Sequence, residues 1–182
     1  MFKNIPNILT ITRILLLPPF VAAFMYNKYQ AALYIFILAA CTDIFDGLVA
    51  RITKQTTELG RILDPIADKF FMVTSFVLMT YYGMIPKWLT IVVISRDLIV
   101  ITGCIITYFI VNRLKIEPTL LGKASSAFQF IFIGVVLLFV NINGDTSSLF
   151  LLLIFIAFLT IVSGLQYIYN GLKTINPGNS QA

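Results

Sequence analysis

Four aspartates within 26 positions are the residues of this 182-residue sequence best suited to chemistry. Asp43, Asp46, Asp64 and Asp68 make up half of the eight acidic residues in the chain, and their surroundings are strongly apolar. One carboxylate costs roughly 2.5–3.5 kcal/mol near the centre of a bilayer, so four of them need compensation. Because oxygen ligands without His or Cys favour Mg²⁺ or Mn²⁺, the sequence predicts a site for a pair of such cations.

Helical spacing, at about 100° per residue, places the aspartates and nearby small residues on two helix faces. The first face carries Asp43, Asp46, Gly47 and Ala50, and the second carries Gly60, Asp64 and Asp68. Because the connection between the two helices is short, we expect them to be antiparallel neighbours whose faces meet. The small residues either let the helix backbones approach closely or leave room for a flat ligand beside the carboxylates.

Two divalent cations held close together are a common device for in-line attack on phosphorus. Arg51, one turn beyond Asp46, adds a fixed donor for phosphate. A structural alternative is a helix pair joined by salt bridges to Arg51, Arg61 and Lys69, although four regularly spaced carboxylates exceed what bridging needs. A divalent-cation carrier is a second alternative, but we expect its ligands near the bilayer midplane with access from both sides. A scaffold without activity is a third, and it would tolerate loss of an aspartate.

The rest of the sequence predicts the elements that position these residues. The chain is 59% hydrophobic, which predicts an all-α polytopic membrane protein, since a helix of about 20 apolar residues spans a bilayer. Pro18-Pro19 interrupts the first apolar run, so we expect no cleavable signal peptide. We expect one domain over residues 1–175, a polar tail over 176–182, and six transmembrane helices in one bundle, near residues 8–25, 30–50, 61–82, 88–111, 119–141 and 147–170.

Basic residues are concentrated at one predicted membrane face, which sets the orientation. Lys28 and Lys87 lie at the opposite face. We therefore expect both termini and the aspartates to be cytoplasmic, in a bacterial inner membrane. The same charges either reflect topology alone or also attract anionic lipid and nucleotide substrates. The residues at the basic face are Lys3, Arg13, Arg51, Lys54, Arg61, Arg113, Lys115, Lys123 and Lys173.

The string Asp43-x2-Asp46-Gly47-x2-Ala50-Arg51-x8-Gly60-x3-Asp64-x3-Asp68 resembles the signature of the CDP-alcohol phosphatidyltransferases, with every signature position filled. The similarity extends from the opening Asn4-Ile5-Pro6-Asn7 to about Gln129, and the last span matches only in hydrophobicity. The resemblance implies a six-helix membrane fold, homodimerisation and no nucleic-acid partner. It also implies transfer of the phosphatidyl group of CDP-diacylglycerol to an acceptor hydroxyl, with release of CMP.

The resemblance assigns roles to individual residues. The four aspartates would hold two divalent cations, Mg²⁺ or Mn²⁺, and Asp68 would also be the base for the acceptor hydroxyl. The residues expected to contact the CDP group are Gly47, Ala50, Arg51 and Gly60. For the acceptor, the opening residues and the length are similar to the branch that makes phosphatidylglycerophosphate and cardiolipin. Arg96, Lys123 and Arg13 are then the expected acceptor-binding residues, whereas the structural alternative for Arg96 is a salt bridge.

Two positions bear on which acceptor is used. Cys104 and Ser125 stand where phosphatidylglycerophosphate synthases typically have a second arginine and a second lysine. Losing two cations weakens a site for the dianionic phosphate of glycerol 3-phosphate. The sequence therefore slightly favours phosphatidylglycerol as acceptor, as in the CMP-forming cardiolipin synthases. Arg96 with Lys123 and Arg13 would still suit glycerol 3-phosphate, which stays the alternative acceptor.

Overall fold

The computed structural model describes residues 5–53, 58–111, 119–144 and 146–175. Side chains are described within 12–42, 69–103, 119–144 and 148–171 and at residue 146. The all-α prediction is confirmed over these ranges, which contain helices and no strand. The helices are α1 (Ile5–Met25), α2 (Tyr29–Thr53), α3 (Glu58–Tyr81), α4 (Lys87–Val111), α5 (Leu120–Asn141) and α6 (Phe150–Ile175), with a short 3₁₀ helix (Thr146–Leu149) before α6.

The helix bounds agree with the predicted spans to within a few residues, except where helices continue into polar sequence. The spans were predicted to end near residue 50 and to begin again near residue 61, and the helices extend past both limits. α2 continues to Thr53 and α3 already begins at Glu58. A helix supplies its own backbone hydrogen bonds and does not need an apolar environment, so it extends past the apolar segment.

The helices α1, α3 and α5 end in the same way. At each end one residue adopts a left-handed backbone, and the following amide N–H donates to the carbonyl five residues earlier at 2.8 Å. This is the Schellman arrangement, which satisfies carbonyls that a helix end leaves without partners. The left-handed residues are Asn27 (φ 54°), Gly83 (φ 73°) and Asn143 (φ 51°). The predicted breaks at these positions are confirmed.

The chain divides into two compact units, and α5 contributes to both. The first unit comprises Met1–Met84 and Ile133–Thr146. Within it α1 packs against α2 and α3. The rings of Phe20 and Phe71 lie 4.9 Å apart, in a core of buried aromatic and aliphatic side chains. A Cβ at Gly134 would lie 3.2 Å from the ring of Phe36, so this glycine lets α5 approach α2.

The second unit comprises Ile85–Phe132 and Ser147–Ala182, and in it α4 packs against α6. A Cβ at Gly103 would lie 3.2 Å from the ring of Tyr167, which places α4 close to α6 at this level. The buried apolar side chains of this unit include Leu89, Val93, Phe132 and Ile156. The prediction of one domain over 1–175 stays a prediction, and residues 176–182 lie outside the described ranges.

Besides the apolar cores, several polar side chains lie inside the units, and many large apolar side chains lie on their surfaces. Leu120 is 85% exposed and Leu151 is 81% exposed. The buried polar side chains include Ser75, Ser125, Gln129, Thr160 and Ser163. Exposed apolar side chains cost little when lipid surrounds them, whereas polar groups in lipid need internal partners, so the distribution is typical of a membrane protein.

The described residues contain two helices long and apolar enough to cross a membrane, Leu120–Asn141 and Phe150–Gly171. The apolar parts of α1, α2 and α3 with described side chains are shorter, namely Thr12–Met25, Tyr29–Thr42 and Lys69–Tyr81. The bundle of six membrane spans therefore stays a prediction.

Candidate functional site

The predicted metal-binding and CDP-binding residues lie on α2 and α3. Both helices are continuous through these positions, but the side chains lie outside the described ranges. On α2 these residues are Asp43, Asp46, Gly47, Ala50 and Arg51, and on α3 they are Gly60, Asp64 and Asp68. Their roles as metal or CDP ligands stay predictions.

The described half of α2 indicates which face of that helix points inward. Ala32, Phe36 and Ala39 are buried and are separated by four and then three residues. This alternation follows one face of an α-helix. Continued along α2, the same spacing reaches Asp43 and Asp46. The register therefore predicts that these two positions continue the inward face of α2.

The described half of α3 gives a matching register. Met72, Ser75 and Met79 are buried on one face of this helix. Two turns toward the start of α3, this face reaches Asp68, seven residues before Ser75, and Asp64, seven residues before the buried Phe71. The two registers are consistent with the expectation that the two carboxylate-bearing faces meet, which stays a prediction.

Arg96 is the predicted acceptor-binding residue with the most fully described surroundings. It lies on α4 and is only 7% exposed. Its Nη1 donates to Oδ1 of Asp97 at 2.9 Å. Its Nη2 donates to the carbonyl of Gly122 on α5 at 3.2 Å and to Oγ of Ser163 on α6 at 2.9 Å. The salt-bridge alternative for Arg96 is thus realised, and hydrogen bonds join this cation to two further helices.

The partner of Arg96 on α5 belongs to the first turn of that helix. Thr119 precedes the turn, and its Oγ1 accepts a hydrogen bond from the N–H of Gly122 at 3.0 Å, as an N-cap residue does. Lys123, the next residue, is exposed. A helix N-terminus carries a partial positive charge. The first turn of α5 therefore combines this charge with Lys123 and the guanidinium of Arg96.

Two glycines make room for the Arg96 side chain. A Cβ at Gly122 would lie 3.2 Å from its Nη2, and a Cβ at Gly164 would lie 3.4 Å from its Cγ.

Ser125, one turn further along α5, is buried, and its Oγ has no hydrogen-bond partner among the described residues. This is the position at which the resemblance expects a second lysine, and here it holds a neutral side chain inside the second unit.

Two buried polar side chains extend the polar interior of the second unit away from Arg96. Nε2 of Gln129 on α5 donates to Oγ1 of Thr160 on α6 at 2.9 Å. Oγ1 of Thr160 in turn donates to the carbonyl of Ile156 at 2.7 Å. One hydrogen bond thus joins α5 to α6, the helix that bears Ser163.

Sequence reasoning missed Ser163, Gly164 and the cap residue Thr119. The sequence contained a signal for the first two, because Thr160, Ser163 and Gly164 place small or polar residues at three- and four-residue spacing in an otherwise apolar helix. Such a stripe is typical of a packed membrane-helix interface.

Arg13, the third residue predicted to bind the acceptor, lies on α1 in the first unit and is only 3% exposed. The prediction counted it among the charges at the basic membrane face, but its side chain is buried among the helices of its unit. Arg96 and Lys123 both belong to the second unit.

Comparison with known proteins finds similarity over most of the chain. A family model described as CDP-alcohol phosphatidyltransferase matches residues 3–165, so the similarity extends beyond Gln129 into α6. The chain is 34% identical to a human cardiolipin synthase (CMP-forming), over 94% of this chain and 63% of that protein. The chain thus spans less than two thirds of the human protein.

Bacterial relatives carry a different name. The chain is 37% identical to a CDP-diacylglycerol–glycerol-3-phosphate 3-phosphatidyltransferase of Haemophilus influenzae, over 91% of both chains. It is 31% identical to a protein of the same name from Bacillus subtilis, over 95% of this chain and 99% of that protein. The names of these relatives thus include both acceptors that the sequence left open.

Proposed function

The chain belongs to the CDP-alcohol phosphatidyltransferase family, and from this premise we propose that it transfers the phosphatidyl group of CDP-diacylglycerol to a glycerol-based alcohol, releasing CMP. The complete aspartate signature from Asp43 to Asp68 is the observation that carries this proposal, because its four carboxylates suit phosphoryl chemistry assisted by divalent cations. The divalent-cation carrier stays a remote alternative.

The donor set fits the metals that the family implies. Four carboxylates carry four negative charges, which two divalent cations would neutralise, and all four donors are hard oxygens. Asp43, Asp46, Asp64 and Asp68 would hold these ions, Mg²⁺ or Mn²⁺. When bound, the ions neutralise phosphate charge and stabilise the attacking and leaving oxygens.

The chain's own residues perform the remaining parts of the reaction. Asp68 accepts the proton of the acceptor hydroxyl, whose oxygen then attacks the phosphorus that carries the diacylglycerol. The bond from this phosphorus to the CMP oxygen breaks, and CMP leaves. Arg51 orients the phosphates of the CDP group, and the small residues Gly47, Ala50 and Gly60 leave room for the cytidine beside the carboxylates.

The acceptor phosphate binds at the start of α5, between Arg96 and Lys123. This site is supported by the hydrogen bond from Arg96 to Gly122 in the first turn of the helix and by the exposure of Lys123 in the same turn. A helix N-terminus beside two cations favours an anion. Arg13 is the third proposed acceptor-binding residue.

Phosphatidylglycerol is the favoured acceptor, which makes the product cardiolipin. Ser125 is neutral and buried in the unit that holds Arg96, and Cys104 is neutral as well. A site with two fewer cations suits the single negative charge of a phosphodiester better than a phosphate dianion. Glycerol 3-phosphate is the alternative acceptor, with phosphatidylglycerophosphate as product.

The protein works in the membrane, with both termini and the aspartates at the cytoplasmic face. The apolar exterior of the described helices supports an integral membrane location, and the excess of Lys and Arg at one predicted face supports this orientation. The same exterior offers apolar helix faces for a homodimer.

Product analysis tests the proposed function. Purified protein receives CDP-diacylglycerol, Mg²⁺ or Mn²⁺, and either phosphatidylglycerol or glycerol 3-phosphate. We expect CMP and cardiolipin with phosphatidylglycerol, and no CMP release from the Asp68→Asn variant or in the presence of a chelator. Phosphatidylglycerophosphate as the main product would reverse the choice of acceptor. Absence of CMP with every acceptor offered, including serine and inositol phosphate, would contradict the activity itself.

A further inference from the structure

We propose that Ser163 on α6 determines acceptor selectivity, because its hydroxyl occupies an N–H of Arg96 that a phosphate monoester would otherwise use. This inference rests on the proposed function, in which Arg96 binds the acceptor phosphate. Ser163 does not touch the phosphate in this role; it is a positioning residue that sets which N–H groups Arg96 can offer.

The hydrogen-bonding geometry of the guanidinium explains why one serine matters. Arginine binds a phosphate most strongly through two parallel N–H groups on one edge of the guanidinium. One such edge consists of Nε–H and one N–H of Nη2, and the other consists of one N–H of Nη1 and the second N–H of Nη2. Both edges that can bind in this bidentate manner therefore include an N–H of Nη2.

Nη2 of Arg96 is the atom that is fully engaged in this structure. Its two hydrogens face two acceptors, the carbonyl of Gly122 and Oγ of Ser163. Neither edge then has two N–H groups to spare. Nε of Arg96 is buried and has no hydrogen-bond partner among the described residues, so a phosphate that reached it would gain one isolated contact. Losing the second contact costs a phosphodiester less than a phosphate monoester, because the diester carries one negative charge and the monoester dianion carries two.

Of the two groups that bind Nη2, only Ser163 is a side chain that a substitution can remove. Ser163 is fully buried, so bulk water is not in place to substitute for its hydroxyl. Gly164 follows it and lets α6 lie close to the Arg96 stem, where a Cβ would be 3.4 Å from Cγ. Replacing Ser163 with alanine therefore frees one N–H of Nη2, which belongs to one of the two edges that can bind a phosphate.

The test compares the selectivity of the wild-type protein with that of Ser163→Ala and Ser163→Thr. With CDP-diacylglycerol saturating, kcat/KM is measured for glycerol 3-phosphate and for phosphatidylglycerol, and the ratio of the two is formed. We expect Ser163→Ala to raise this ratio in favour of glycerol 3-phosphate by about tenfold, the effect of one hydrogen bond to a charged group. We expect Ser163→Thr, which keeps the hydroxyl, to retain the wild-type ratio.

General damage to the fold would lower both kcat/KM values together and leave the ratio unchanged, and that result would overturn the role of Ser163. A Ser163→Thr variant whose ratio follows Ser163→Ala would overturn it as well, because the hydroxyl would not be the determinant. The Arg96→Gln variant separates this inference from the function on which it rests. If Arg96→Gln leaves KM for both acceptors unchanged, Arg96 is not an acceptor ligand and both proposals for it fail. If Arg96→Gln raises acceptor KM while Ser163→Ala leaves the ratio unchanged, only the role of Ser163 fails.

Discussion

Replacing Gly122 with alanine should impair acceptor use while leaving stability nearly unchanged. The added Cβ would lie 3.0 Å from Oγ1 of Thr119 and 3.2 Å from Nη2 of Arg96. Real Cβ atoms rarely approach other groups so closely, so the cap residue, the guanidinium or both must shift. The Arg96 hydrogen bond to the Gly122 carbonyl, already 3.2 Å long, is the contact most exposed to this shift.

The contacts of Gly122 give the expected changes in the free energy of unfolding and in kcat/KM. Weakening the Thr119 cap costs about 1 kcal/mol of stability, and replacing a helical glycine with alanine returns up to about 1 kcal/mol. The net change in the free energy of unfolding is therefore close to zero. A guanidinium displaced by the added Cβ loses its hydrogen bond to the acceptor phosphate, and one hydrogen bond to a charged group is worth about 1.5–3 kcal/mol. If Arg96 binds the acceptor, kcat/KM for either acceptor should fall by about 10- to 150-fold.

The assay is CMP release at increasing acceptor concentration, with CDP-diacylglycerol saturating, paired with thermal melting followed by circular dichroism. Gly171→Ala is the matched control, because a Cβ at this position of α6 meets no atom of the described residues within 4 Å. The control should melt slightly higher than the wild type and keep its activity. A Gly122→Ala variant that is indistinguishable from this control in both measurements would refute the placement of Arg96 against the start of α5.

Two further substitutions test the polar contacts that hold each unit together. Thr160→Val removes the acceptor for buried Nε2 of Gln129 and should cost about 1–3 kcal/mol of stability, whereas the double variant Thr160→Val/Gln129→Leu should recover most of that loss. Chemical denaturation measures the stability of both variants. Additive losses of stability would contradict a direct hydrogen bond between the two side chains. Asn141→Ala removes the hydrogen bond that Nδ2 donates to the carbonyl of Tyr29 at 3.1 Å, and should lower stability by about 1 kcal/mol without changing kcat. A loss of activity at an unchanged melting temperature would contradict this structural role.

The long apolar runs of the sequence and the breaks between them predicted the helices well. The breaks after α1, α3 and α5 carry residues with a specific backbone role, because Asn27, Gly83 and Asn143 adopt the left-handed conformation that ends a helix. Helix ends that lie in polar sequence were predicted less well, because hydropathy indicates which residues suit a lipid environment and not how far a helix continues. α2 and α3 accordingly extend beyond their apolar segments.

The candidate site was predictable to the extent that its residues form a local pattern. Asp43 and Asp46 share a helix face by spacing alone, and the buried register of α2 agrees with it. Arg96 was also conspicuous, as a charge within an apolar span. Its partner Ser163 lies 67 residues further along the chain. No periodicity within one helix encodes a contact between two distant helices, so the pairing required the folded structure.

The adjacency of Arg96 and Asp97 has a consequence for how the chain enters the membrane during synthesis. A lone arginine at the centre of a span opposes its partitioning by roughly 2.5–3.5 kcal/mol. If α4 is the fourth membrane span, as the sequence predicts, Gly122 and Ser163 emerge from the ribosome too late to be available when α4 leaves the translocon. Asp97 is made immediately after Arg96 and lies 2.9 Å from it, so the two charges can cross into lipid as an already neutralised pair. The ion pair thus lets this segment insert before the rest of its binding partners exist.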